Sequence, residues 1–169
     1  MSQISSKQFR ILAIAPSTSG FGFVVMEGDK TIIECATRVA RVKDGDKNAQ
    51  SIAKVEKLLN FYQPGVLVLP DVEAKGSRRA LRIKSLNHQI RVLAKKHKVQ
   101  AALISGEKMR KLLLADSKAT RHEMAKKLAR DFPNELSSRL PPKRKLWKSE
   151  DTRMDIFYAV ALAVVFRMR

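Results

Sequence analysis

A chain of 169 residues with 44% apolar content is long enough to bury a core and short enough to form one domain, 1–169. Its 34 Lys and Arg against 16 Asp and Glu give a formal net charge of +18. That balance excludes an acidic surface and makes a polyanion the natural partner, because each cation that meets a phosphate releases a condensed counterion.

In chain order, Arg10 to Ala15 and Phe21 to Met26 read as paired strands joined by the turn residues Ser17, Thr18, Ser19 and Gly20. Thr31 to Ala36 is a third strand after the turn at Gly28 and Asp29, and Asp44 to Lys47 is a charged loop. From Ala49 to Phe61 the apolar residues Ile52, Val55, Leu58 and Leu59 have helical spacing, and Pro64 with Gly65 ends that helix. Val66 to Leu69 is a continuous β-rich run, as in a strand buried on both faces. Arg78 to Lys96 repeats Ile83, Leu86, Ile90 and Leu93 at helical spacing, with cations on the other faces.

Ala101 to Ile104 is a fifth strand and Glu107 to Leu114 a short helix. Thr120 followed by Glu123 forms a capping box for a helix running to about Arg130. Pro133 to Trp147 reads as a basic loop ending in PPKRKLW, and Asp151 or Ser149 is placed to cap a last helix. That helix is expected to pack through Ile156, Val160, Ala163 and Val164, while Asp151, Asp155, Tyr158 and Leu162 share a second stripe.

The single cysteine, Cys35, excludes an internal disulfide and a cysteine-built zinc site, and it reads as core filler. His88, His97 and His122 stand far apart and read as surface or core residues rather than ligands. The apolar stretch Ile156 to Phe166 is too short to span a bilayer, and the start lacks a charged-then-apolar signal segment. A membrane partner is not expected; a cytoplasmic, nucleoid-associated protein is.

Early hairpin strands followed by alternating helices and strands predict an α/β fold, a mixed five-stranded sheet with helices on both faces. Four pieces carry a likeness within that class: ILAIAPSTSGFGFVV, LVLPDVEAKGSRRALRIKSLNHQI, LISGEKMRKLL and RMDIFYAVALAV, in that order. Together they resemble the RuvC-type Holliday-junction resolvases of the RNase H-like fold. The resemblance implies two-metal phosphodiester cleavage, in which carboxylates from the first strand, the fourth strand and the last helix hold two Mg²⁺ or Mn²⁺ ions about 3.5–4 Å apart. It also implies a homodimer on a two-fold symmetric junction.

On this alignment Ala15 stands at the first-strand acid, Pro70 at the fourth-strand acid and Tyr158 at the second acid of the last helix, while Asp155 matches the first. Mg²⁺ needs anionic oxygen ligands, so the expectation is a degenerate resolvase that binds branched or duplex DNA, with RNA as another candidate, and needs no cofactor. The alternative is an active Mg²⁺- or Mn²⁺-dependent endonuclease that relocates its acids to Asp71, Glu73 and Asp155, with Asp151 as a further metal ligand and a bulge near Pro70 aiming Asp71 inward. An introduced substitution at Ala15 would leave Pro70 and Tyr158 unexplained. An actin-like or sugar-kinase ATPase would need paired domains, for which the chain is too short.

The backbone-contact candidates are Lys75, Arg78, Arg79, Arg82 and Lys84, whose matching helix faces DNA in the family the chain resembles. Next come Lys143, Arg144, Lys145 and Lys148 around Trp147, which reads either as a base-stacking aromatic or as a loop anchor on the core. Ser17, Thr18 and Ser19 are candidate phosphate donors that turn chemistry also explains. Lys118, Arg121, Lys126 and Lys127 read as a solvated helix face.

Overall fold

The computed structural model describes residues 9–41, 46–74 and 80–168. Its sheet has the order β3-β2-β1-β4-β5, built from β1 (Arg10–Pro16), β2 (Gly20–Glu27), β3 (Thr31–Val39), β4 (Val66–Pro70) and β5 (Gln100–Ile104). The first three strands pair antiparallel, and β1, β4 and β5 run parallel. This is the mixed α/β sheet expected from the element order.

Alternation along β1 divides the core. Ile11, Ala13 and Ala15 join the cluster under α3 (Gly106–Leu114), α4 (Arg121–Asp131) and α6 (Met154–Arg167). Leu12 and Ile14 join the opposite cluster under α1 (Lys47–Tyr62) and α2 (Leu81–Lys96). A strand with apolar residues at every position is stable only when both faces are covered, and here they are.

Local chemistry sets most boundaries. The Thr120–Glu123 capping box opens α4 as expected, each side chain accepting a hydrogen bond from the other residue's backbone N–H. Asp46, expected in a loop, instead caps α1 by accepting from Asn48 N at 2.8 Å, so that helix starts earlier than its apolar spacing implied. Residues 42–45 of that predicted loop lie outside the described residues.

Two other expectations change. The predicted loop from Pro133 begins with α5 (Pro133–Leu136) and a 3₁₀ turn (Ser137–Arg139), because Pro133 at the first helical position has no N–H to lose and Leu136 is buried. Neither Ser149 nor Asp151 is the N-cap of α6. That position is Arg153, and Asp151 sits two residues earlier, accepting from the Arg153 backbone N–H at 2.9 Å.

The last helix is buried on more sides than one stripe suggested: Ile156, Val160 and Ala163 are buried as expected, but so are Phe157, Ala161 and Leu162. Val164 is only half-buried. The helix lies between the sheet and α3 and α4, so its outer face also needs apolar residues. None of the helices among the described residues is long and apolar enough to cross a membrane.

Cys35 is buried, as expected of core filler, and burial pushes its thiol pKa up. Arg139 donates to both its carbonyl and its Sγ, the latter at 3.2 Å.

Tyr62, on the last turn of α1, donates to Glu34 on β3. Burial first, then this bond, pushes the Tyr62 phenol from its ordinary 10.0 to about 12. A pKa raised in the folded state means that the native protein holds the proton more tightly. The stabilisation is complete below pH 10 and is lost as the pH rises toward 12. A spectrophotometric titration is expected to show a tyrosine ionising near pH 12, with stability falling across the same interval, and Tyr62→Phe is expected to remove that step.

Candidate functional site

The parallel pairing of β1 with β4 matches Ala13 with Val68, and extending it brings Ala15 level with Pro70. Ala15 also pairs with Gly22 on β2. A Cβ at Gly22 would lie 2.4 Å from the Asp155 backbone, so the first turn of α6 rests directly on β2 beside Ala15. The two strand ends and the start of α6 therefore meet, bringing Ala15, Pro70 and Asp155 into one region.

Each of these positions is held by packing or hydrogen bonds. Asn87, buried on α2, donates Nδ2 to the Pro70 carbonyl at 3.1 Å. The Asp71 backbone N–H donates to Ile104 O at 2.8 Å, and its carboxylate accepts from Glu73 N at 3.2 Å to close a turn. No bulge interrupts the β4–β5 register, which runs to Pro70 opposite Ile104. Asp71 is half-buried and Glu73 exposed.

Asp151 takes a two-pronged ion pair from Arg153, with Nε at 3.0 Å and a terminal nitrogen at 2.8 Å. Arg153 holds the Asp151 carboxyl below its usual range. Among the described residues no three His, Cys, Asp or Glu side chains gather as a metal ion would require. A two-Mg²⁺ centre requires converging anionic oxygens, and the described residues show no such cluster.

Tyr158 occupies the next turn of α6 with its hydroxyl near Gly106. The Arg121 guanidinium lies 4.9 Å from the centre of its ring and pairs with Glu150 at 2.8 Å. Arg121 had read as part of a solvated face; it instead closes over Tyr158, a contact between sequence-distant residues that no local pattern announces. Lys127, from the same predicted face, pairs with Asp131 at 3.0 Å.

Among the predicted backbone-contact residues, Lys75, Arg78 and Arg79 lie outside the described residues. Lys84 is half-buried on the first turn of α2. Arg82 donates to the Thr18 carbonyl at 2.5 Å, the Ser17 carbonyl at 3.4 Å and Asn48 Oδ1 at 3.0 Å. Asn48, itself buried, donates back to the Arg82 carbonyl at 3.1 Å. Arg82 thus ties the β1–β2 turn to the starts of α1 and α2. Arg82→Ala is expected to cost about 1–3 kcal/mol in denaturant unfolding, because it strips a buried amide of its partner. It should leave the salt slope of nucleic-acid binding unchanged; a slope lowered by about one unit would assign Arg82 to a phosphate.

The loop after Leu140 presents the remaining cations. Lys143, Arg144, Lys145 and Lys148 are exposed, and none is ion-paired among the described residues. Trp147 is 78% exposed, so it is not the core anchor that was one reading of it.

No protein-family model matches the sequence, and no curated protein matches it. Solved structures do match. The chain superposes on RuvC of Thermus thermophilus with a TM-score of 0.68 at 14% identity, over 95% of this chain and 96% of that one. T. thermophilus RuvC in complex with Holliday junction substrate gives a TM-score of 0.67 at 13% identity, over 95% and 96% of the two chains. The yeast mitochondrial Holliday junction resolvase gives 0.60 at 13% identity, over 95% of this chain and 79% of that one. A single sheet of order β3-β2-β1-β4-β5 with α6 seated at the ends of β1 and β4 is thus the RuvC-like, RNase H-like fold, and it spans nearly the whole of this chain.

Proposed function

We propose that this chain is a nucleic-acid-binding RuvC-like protein that has lost metal-dependent cleavage and engages branched or duplex DNA through charge and shape. The observation that carries this reading is the set of residues where β1, β4 and α6 meet: Ala15, Pro70 and Tyr158 stand at the acid positions that the RuvC resemblance implies, and Asp155 is the acid that remains. Removing carboxylates from such a cleft lowers the repulsion met by a phosphate backbone. The net charge of +18 and the exposed cations of the 143–148 loop supply the attraction. A RuvC of this fold is known with Holliday junction substrate, which makes a four-way junction the first ligand to try. The homodimer implied by the resemblance belongs to the same reading, since a two-fold junction offers two equivalent arms.

The test is a gel assay of a labelled four-way junction in Mg²⁺, in Mn²⁺ and in EDTA, scoring shift and strand cleavage on the same samples. A shift in EDTA without cleavage in either metal is expected. Metal-dependent symmetric nicks that vanish in Asp155→Asn would replace this reading with a resolvase using relocated acids. Absence of any shift would remove nucleic acid as the ligand. An RNA junction of the same shape, run in parallel, separates DNA from RNA.

A further inference from the structure

The segment that leads into α6 contains a tight turn. The Lys148 N–H donates to the Lys145 carbonyl at 3.0 Å, which places Leu146 and Trp147 at its two corner positions. Corner positions ordinarily hold Gly, Pro, Asn, Asp or Ser, residues that suit the backbone and leave little apolar surface in water. Here they hold two large apolar side chains, Leu146 94% exposed and Trp147 78% exposed. Turn chemistry does not explain this choice, and neither does packing, since neither side chain reaches the core.

The surroundings give the tip a partner of defined chemistry. Lys145 and Lys148 flank it, Lys143 and Arg144 precede it, and the Lys145 ammonium lies 5.6 Å from the centre of the Trp147 ring. The acids that follow are already committed, Glu150 to Arg121 and Asp151 to Arg153. The tip therefore offers an aromatic face within a field of unneutralised positive charge. A surface that combines a flat aromatic with phosphate-seeking cations matches a polyanion whose bases are unstacked. A fully paired duplex would satisfy the cations and leave Trp147 and Leu146 in water, because its bases are stacked on one another.

We infer that Leu146 and Trp147 form a base-stacking tip that takes unpaired nucleotides, single-stranded or at a branch point, and so gives the protein preference for opened over fully paired nucleic acid. The inference rests on the nucleic-acid reading above and adds to it a substrate class and the residues that select it.

Trp147 is the single tryptophan of the chain, which makes its fluorescence a direct reporter. The full chain would be titrated with an oligo-dT strand, a four-way junction and a blunt duplex, following emission and, in parallel, gel shift. Quenching by oligo-dT and the junction but not by the duplex is expected. Trp147→Ala is expected to weaken oligo-dT binding about 5- to 150-fold, the range for removing one stacking aromatic, while duplex affinity stays unchanged. Trp147→Phe, which retains a ring, should recover part of the loss. If gel shifts persist but emission is unmoved and Trp147→Ala binds oligo-dT like the parent, stacking is overturned while nucleic-acid binding stands. If no nucleic acid shifts at all, both readings fall, and the exposed pair is left for a protein partner.

Discussion

Replacing Lys143, Arg144, Lys145 and Lys148 together by alanine is expected to give the largest loss of nucleic-acid affinity obtainable from the described residues. If each of the four meets a phosphate of a duplex arm, the slope of log K against log salt becomes shallower by about 3.6, at roughly 0.9 per contact. At low salt this corresponds to a loss of several orders of magnitude, converging with the parent protein as salt is raised. All four side chains are exposed, so thermal stability should move by no more than about 0.5 kcal/mol, which separates lost binding from lost folding. A parent and variant with the same salt slope would take this loop out of the interface and leave α2, with Lys84 on its first turn, as the cationic surface to test.

A large effect on stability is expected from Gly22→Ala. A methyl at that position would lie 2.4 Å from the carbonyl carbon and oxygen of Asp155 and 2.6 Å from its Cβ, well inside contact distance. The obstacle is mostly helix backbone, which cannot rotate aside as a long side chain does, so α6 as a whole must move. Because α6 is buried between the sheet and α4, that displacement disturbs packing on two sides. Overpacking of this kind costs about 1–3 kcal/mol. For a chain of this size the midpoint of thermal unfolding should fall by roughly 2–12 °C. An unchanged Tm would mean that α6 does not rest on β2 at Gly22, and with it would go the argument that brings Asp155 beside Ala15. Tyr62→Phe acts on the other face of the sheet and should combine with Gly22→Ala nearly additively.

The strands, most helices and the Thr120–Glu123 capping box were legible because each follows from a pattern within a few residues: a continuous apolar run, helical spacing, or a cap and its partner three residues on. The short helix at Pro133 was not, since four residues carry too little periodicity to stand out from a proline-rich loop. The apolar Ala15 and Pro70 were visible at once, and so were the acids nearby. Their consequence was not, because a carboxylate's usefulness to a metal depends on what else holds it. Asp71 closes its own turn and Asp151 is gripped by Arg153.

Arg82 and Arg121 show the same division. As cations on amphipathic helices they look alike in sequence, yet one is drawn to the carbonyls of the β1–β2 turn and the other onto the ring of Tyr158. Trp147 is the converse case: its sequence neighbours allowed either an anchor or a base stacker, and its exposure removes the anchor.

By itself, then, the sequence determined the mixed α/β element order, the two-sided burial of β4 and the strong positive charge, all properties of composition and short-range periodicity; the acids expected at Ala15, Pro70 and Tyr158 are implied by the family resemblance instead. Tertiary structure alone decided that Ala15, Pro70 and Asp155 come into one region, that Gly22 leaves room for α6, and which of the described cations are held in ion pairs. Those facts depend on strand register and on contacts between residues far apart in the chain, and no local pattern encodes them.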